Sequence, residues 1–268
     1  MNILLAMKLP RFPLVSCLPF LAAGALSAQI ASDDAGNYAS WTDGTDQGVG
    51  FGPWTLTENT GGGVFAGFFL GDSTAGAGDI NTGGQSFGMF ANPNGAVATA
   101  ERDFDTPMVV GDTFSVQLAL DEDNGNKGFN LFDGTGGQLF NFNVGSGAQI
   151  NTAFDDNPVT AQYNDGGAAV IDIVIDYAAL NELTYTVSRS SPQGFQGVLF
   201  DGSITDGGNP FASAPASIEL YNTNTASGAA ENNLYFNSLE VVPEPSSAAL
   251  VAAVGVLFLS TVCRRRQG

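Results

Sequence analysis

The sequence has no histidine, two cysteines, and eight basic residues against 27 acidic ones in 268 positions. Without histidine there is no Ser-His-Asp or Cys-His triad, no zincin motif and no imidazole metal ligand. Cys17 and Cys263 lie in apolar terminal stretches, so the intervening chain has neither a disulfide framework nor a thiol nucleophile. Between the termini the only basic residues are Arg102, Lys127 and Arg189. Residues 29–242 hold 26 acidic side chains against these three, a formal charge of −23. Such a stretch has nothing to neutralise phosphates, which excludes nucleic acid as a partner. Helical periodicity is lacking too: no run longer than about ten residues follows a 3.6-residue period.

The two ends of the chain are different in kind from the middle. Lys8 and Arg11 precede an apolar run over 14–26, followed by the small residues Ala25, Ser27 and Ala28. This is the layout of a secretory signal peptide over 1–28, with Met7 as an alternative start. At the other end, 246–263 is an uncharged stretch closed by Arg264, Arg265 and Arg266. As a helix at about 1.5 Å per residue, it is long enough for a transmembrane span. The arginines would hold its end in the cytoplasm, leaving the body outside. Immediately before it stands Pro243-Glu244-Pro245, an extended, helix-free segment.

Alternation dominates the body, residues 29–242. Phe114, Val116, Leu118 and Leu120 fall on one face of a strand. Phe129 to Phe132 and Leu139 to Val144 read as further strands, joined in a meander by hairpin turns at 123–125 and 133–137. Additional strands are expected over 54–57, 64–70, 85–91, 96–104, 168–177, 183–189, 194–204, 217–221 and 233–241. Residues 177–181 read as a turn. Gly61-Gly62-Gly63 and Gly83-Gly84 are turn chemistry and not phosphate cradles, since no helix or Lys-Ser/Thr pair follows. A dozen short strands without an internal boundary or repeat predict an all-β fold of two packed antiparallel sheets.

The tail, a Pro-Glu-Pro motif, a transmembrane helix over 246–263 and the basic cluster 264–266, resembles the PEP-CTERM sorting signal of exopolysaccharide-producing bacteria. The resemblance covers 243–268. It implies Sec-dependent export, a transient membrane anchor, and cleavage near Pro243, Glu244 and Pro245 by an exosortase, leaving the body at the cell surface or in the extracellular matrix. The body is similar to the concanavalin-like jelly-roll β-sandwich. The residues that carry this likeness are SFGMFAN (86–92), VGDTFSV (110–116), GNKGFNLFD (125–133) and ASIELYN (216–222).

Three kinds of site are open to such a body. Calcium, the one candidate cofactor, wants carboxylate and carbonyl oxygens. Asp121, Asp123 and Asn124 form the densest such cluster, with Asp72, Asp79, Asn81, Asp43 and Asp46 as secondary candidates. Carbohydrate would need an exposed aromatic platform, for which Trp41 and Trp54 are the candidates, with Tyr163 and Tyr221. A glycosidase would need paired carboxylates, and Glu101, Asp103 and Asp105 share one side of the chain. The leading expectation is a non-enzymatic structural or adhesive surface protein associated with exopolysaccharide. A calcium-assisted, lectin-like carbohydrate-binding module is the alternative, and a carboxylate-based glycoside hydrolase is the third.

Overall fold

The computed structural model describes residues 29–145, 148–152, 155–161, 168–190, 196–205 and 211–243, with side chains omitted for 148–152 and 155–161. The predicted signal segment 1–28, the helix 246–263, Glu244, Pro245, Arg264, Arg265, Arg266 and Tyr163 lie outside these residues. Among the described residues, no helix is long and apolar enough to cross a membrane.

Among the described residues, fifteen strands make two antiparallel sheets. The first contains β1 (Ala31–Asp33), β3 (Phe65–Gly71), β4 (Ser86–Asn92), β6 (Asp112–Leu120), β11 (Ala169–Ala179), β12 (Glu182–Ser190), β13 (Gly197–Thr205) and β15 (Leu234–Pro243). Its order is β13-β12-β11-β6-β15-β4-β3, with β1 also paired to β15. The second contains β2 (Thr55–Glu58), β5 (Val97–Asp103), β7 (Asn126–Asp133), β8 (Gln138–Val144), β9 (Ala148–Thr152), β10 (Asp155–Ala161) and β14 (Pro215–Thr223). Its order is β10-β9-β8-β7-β14-β5-β2. The predicted two-sheet sandwich is therefore present, and each of the twelve expected strands has its counterpart. The strands not foreseen, β1, β9 and β10, are short or, in β10, interrupted by Pro158.

Alternation sets which side chains meet in the middle. In β6, Phe114, Val116 and Leu118 are buried while Thr113, Ser115 and Gln117 are partly exposed. In β11, Ile171, Ile173 and Ile175 point the same way. Phe129 and Leu131 of β7, and Ile218 and Leu220 of β14, face them from the other sheet. Phe114 stacks on Phe129 with ring centres 5.3 Å apart, directly joining the two layers.

One predicted connection is corrected. β6 and β7 do not form a hairpin: β6 pairs with β11 and β15, and β7 with β14 and β8. The loop 121–125 crosses from one sheet to the other. A hairpin would have placed the apolar faces of β6 and β7 side by side; the crossover lets them face and bury each other. The hairpin at 133–137 is found, joining β7 to β8. The turn read over 177–181 is confined to Leu180 and Asn181, because β11 continues to Ala179. Gly83 and Gly84 form a two-residue hairpin turn, with Thr82 and Gln85 exchanging both backbone hydrogen bonds. Both glycines have positive φ, 60° and 86°, which this turn requires. β15 runs to Pro243, opposite Asp112, so the first residue of the Pro-Glu-Pro motif belongs to the last strand.

At one end of the sandwich the core becomes polar. Arg102 follows Ala98 and Ala100 along the inward face of β5 and is buried at 1% exposure. Its guanidinium pairs with Asp33 of β1 and with Asp46. It also lies 5.1 Å from the ring centres of both Phe51 and Trp54. Tyr38 donates its hydroxyl to Asp33 at 2.8 Å. Burial raises the Asp33 carboxyl above its ordinary value, opposed by the Arg102 charge. Replacing Arg102 by methionine leaves Asp33 buried without a counter-charge and is expected to cost about 3–5 kcal/mol. Urea denaturation of R102M and of the R102M/D33N pair checks this. A single variant as stable as wild type refutes it, and partial recovery in the double variant is the expected signature.

Candidate functional site

The outward face of the seven-stranded sheet carries polar side chains aligned by register. Across β2, β5, β14, β7 and β8, Thr55, Glu101, Glu219, Asn130 and Asn141 stand directly opposite one another in one row. Two residues along the strands, Thr57, Thr99, Tyr221, Gly128 and Asn143 form the next row. Directly opposed residues on neighbouring strands sit about 5 Å apart, so each row is a continuous line of interacting groups. An open groove of about 500 Å³ runs over them, lined by Thr99, Asn130, Gln138, Asn141, Glu219, Tyr221 and Thr223.

A chain of hydrogen bonds holds the groove floor. Asn130 donates its amide to Glu219 Oε1 at 2.6 Å. Asn141 donates to Asn130 Oδ1 at 2.7 Å and to the Tyr221 hydroxyl at 2.9 Å. That hydroxyl is directed at Asn143 Oδ1, 3.1 Å away, and the Phe142 carbonyl, 3.3 Å away. Asn130 and Asn141 are 9% and 7% exposed, and these bonds fix the orientation of their amides at the groove floor. Gly128 makes room for the phenol: a Cβ there would stand 2.8 Å from the Tyr221 oxygen and 1.9 Å from the Phe142 carbonyl oxygen. Burial raises the Glu219 carboxyl, which Asn130 opposes by its hydrogen bond while the adjoining Glu101 carboxyl pushes it further up. Burial likewise raises the Tyr221 phenol.

Of the residues singled out in the sequence, Tyr221 and Glu101 belong to this face, Tyr221 in the groove and Glu101 beside Glu219. Glu101 does not act with Asp103 and Asp105 as a cluster. Asp103 is exposed further along β5, and Asp105 lies beyond the strand's end. Trp41 and Trp54 are corrected: they are 5% and 1% exposed and present no platform to a sugar. They pack edge to face at 5.6 Å and against Phe87 and Phe236 inside the core. Two indoles bury more apolar area than any other side chains present, so they are held in the interior. Asn130, Asn141 and Glu219 were not singled out. They stand at the polar positions of strands read correctly, but their convergence depends on register.

Asp121, Asp123 and Asn124, the calcium candidates, lie in the loop that precedes Lys127. Among the described residues, no group of three or more acidic side chains is placed to hold a metal ion. The cation at this loop is Lys127, which is fully buried. Its ammonium donates to the Glu122 carbonyl at 2.7 Å and to the Asn232 carbonyl at 3.1 Å. Asn124 is turned to Asn232 at 2.5 Å and accepts from the Ala226 amide at 2.8 Å. Asp72 accepts from the Thr74 amide and hydroxyl and from Asn81, which hold its carboxyl below the usual range. Asp79 accepts from the Asn81 amide at 3.1 Å. Asp43 accepts from the Leu56 amide at 2.9 Å, and Asp46 pairs with Arg102. Of these carboxylates Asp46 meets a cation, while Asp43, Asp72 and Asp79 accept from neutral amide and hydroxyl groups of the chain.

Burial lowers Lys127 to about 8, against the pull of Glu122, Asp123 and Asp121. The unfolded chain keeps that proton up to about 10.5, so between these limits it binds more protons than the folded one. Stability must then rise with pH, by up to about 1.4 kcal/mol per unit. Above about 10 the raised tyrosines act in the opposite sense, because they ionise first in the unfolded chain. Urea midpoints measured from pH ~8 to ~10 are expected to climb in the wild type and to flatten in K127M. A wild-type curve as flat as the variant's would refute the assignment.

No known protein family and no curated protein matches the sequence. Among solved structures, the chain is similar to a sialidase, at 10% identity and TM-score 0.45 over 82% of this chain, and spans 19% of that protein's length. It is similar to arcelin-5, a lectin-like defence protein from Phaseolus vulgaris, at 9% identity and TM-score 0.40, over 71% of this chain and 98% of that one. It is also similar to a tetrameric galectin from the ball sponge Cinachyrella sp., at 14% identity and TM-score 0.34, over 52% of this chain and 98% of the galectin.

Proposed function

We propose that the protein is an exported, non-catalytic carbohydrate-binding module that takes a neutral glycan on the outward face of its seven-stranded sheet. The observation that carries this reading is the register-aligned row of carboxylate, amide and phenol groups along an open groove. Sugar hydroxyls both donate and accept. Side-chain amides combine donors with an acceptor, and a carboxylate keeps acceptor lone pairs after receiving one hydrogen bond, so neighbouring hydroxyls are met by groups whose orientation is already set. The preference for a neutral chain follows from charge. Every lysine and arginine among the described residues is buried, leaving nothing at the surface to pair with a uronate or sulfate.

Binding is favoured over hydrolysis by the placement of the carboxyls. Glu219 and Glu101 stand directly opposite one another on adjacent strands, so both carboxyls leave the same sheet face side by side and a sugar lying on that face does not pass between them. A glycosidase holds its two carboxyl groups about 5 Å apart or more, with the sugar between. Calcium is not needed for the reading, since the floor is tied together by its own amides.

A neutral-glycan seat would also let the protein adhere to exopolysaccharide at the cell surface. The terminal segments would bring the body there: the signal segment 1–28 by the Sec route, and the Pro243-Glu244-Pro245 tail by exosortase cleavage after transient membrane anchoring. Mass spectrometry of the surface-released protein is expected to find its C-terminus near Pro245; released material still carrying Arg266 refutes sorting.

Binding is tested by titrating the full-length protein in detergent micelles with oligosaccharides of dextran, laminarin and galactomannan, and with alginate and hyaluronan. Saturable binding to a neutral series, unchanged by EDTA, is expected. E219Q and Y221F should each weaken it about tenfold, the effect of losing one well-placed hydrogen bond to a charged or buried group. Affinity should also fall as pH drops through the raised Glu219 value. Binding that EDTA abolishes would bring calcium back, and no saturable binding to any neutral series would refute the reading.

A further inference from the structure

The outward face of the opposite sheet carries a second groove, of about 480 Å³, over β6, β11, β12 and β15. Its construction parallels the first. Ser188, Asp172 and Gln117 stand opposite one another in one row, and Ser115 faces Glu240 two residues along. Gln117 donates its amide to Asp172 Oδ1 at 2.8 Å, the counterpart of Asn130 on Glu219. At the far side, β15 takes three steps from Asn237 to Glu240 where β6 takes two from Gln117 to Ser115. The extra residue is accommodated at Ser238, whose φ of 53° lies in the left-handed region. Leu239 stays buried while Ser238 and Glu240 line the groove.

The chemistry of the second groove selects the same class of occupant. Serine hydroxyls, a fixed amide and two carboxylates offer hydrogen-bond partners to a polyhydroxylated chain. The wholly acidic and neutral surface around them repels an anionic one. The two grooves lie on opposite outer faces of a sandwich, separated by both sheets and the core between them. We infer that one copy of this protein has two glycan seats facing away from each other, and so cross-links two neutral polysaccharide segments without needing to oligomerise. The inference rests on the carbohydrate-binding reading above and adds a second seat to it.

The test is stoichiometry together with cross-linking. Titration calorimetry of the full-length protein with the dextran, laminarin and galactomannan oligosaccharides should give two sites per chain for whichever series binds. The corresponding long polysaccharide should become turbid at intermediate protein ratios and clear in excess, as cross-linked systems do when each seat finds its own chain. Y221F/E219Q and Q117A/D172N, each altering one face, should each leave one site per chain and abolish the turbidity. Thermal unfolding of each variant confirms that the untouched seat is intact. One site in the wild type, lost in Y221F/E219Q and indifferent to Q117A/D172N, overturns the inference and leaves the first seat standing. Turbidity that persists in both variants also overturns it, since the link would then run between copies. No binding at all overturns the carbohydrate reading itself.

Discussion

The three basic side chains of the sandwich, Arg102, Lys127 and Arg189, are all buried, and much of the molecule's behaviour follows from that arrangement. Each is placed inward or beneath a loop, where desolvation is costly unless oxygen partners surround it. Around Arg102 those partners are Asp33, Asp46 and Tyr38, which tie the first strand and the following loop to β5. Around Lys127 they are carbonyls of the loop that carries the chain between sheets and of the residues leading into β15. Internal cations thus fasten chain segments that a disulfide or a metal ion fastens elsewhere. Among the described residues, the charged groups left outside are therefore all carboxylates.

That one-sided surface bears directly on recognition. A sheet face without lysine or arginine cannot hold phosphate, sulfate or uronate by charge. It can hold hydroxyl groups through acceptors kept rigid by neighbours. The seven-stranded sheet supplies such acceptors because its polar positions fall into register, so Glu219, Asn130 and Asn141 meet across three strands. The opposite sheet repeats the arrangement in Asp172 and Gln117. A β-sandwich has two outer faces by construction; on this one Ala119, Val170 and Tyr235 are covered by Ala77 and Ile80, and the polar row lies beside them.

The fold and the site were unequally legible in the amino-acid order. Alternation in Asp112–Leu120 and Ala169–Ala179 identified strands and their buried sides because the period of two is local. The Gly83-Gly84 turn was readable for the same reason. The link between β6 and β7 was misread as a hairpin. Asp-Asn-Gly suits a tight turn whether the next strand pairs beside it or crosses over, and the choice depends on which apolar faces must meet. Trp41 and Trp54 were misread as platforms because an aromatic residue before or at the start of a strand has no local mark of burial.

The chain's order by itself determined that the body is all-β, acidic, free of histidine and free of internal cysteine, and bounded by terminal segments of a different character. These are properties of composition and short-range pattern. Only the tertiary structure decided which polar residues converge. Glu101 and Glu219 are 118 positions apart in sequence, and Asn141 lies between them, yet all stand in one row. Likewise, Lys127 is held beneath the loop at 121–125 because Asn232, 105 positions away, folds back to it. Strand register and long-range loop contacts come from packing the two apolar layers together, and no local window of the sequence contains that information.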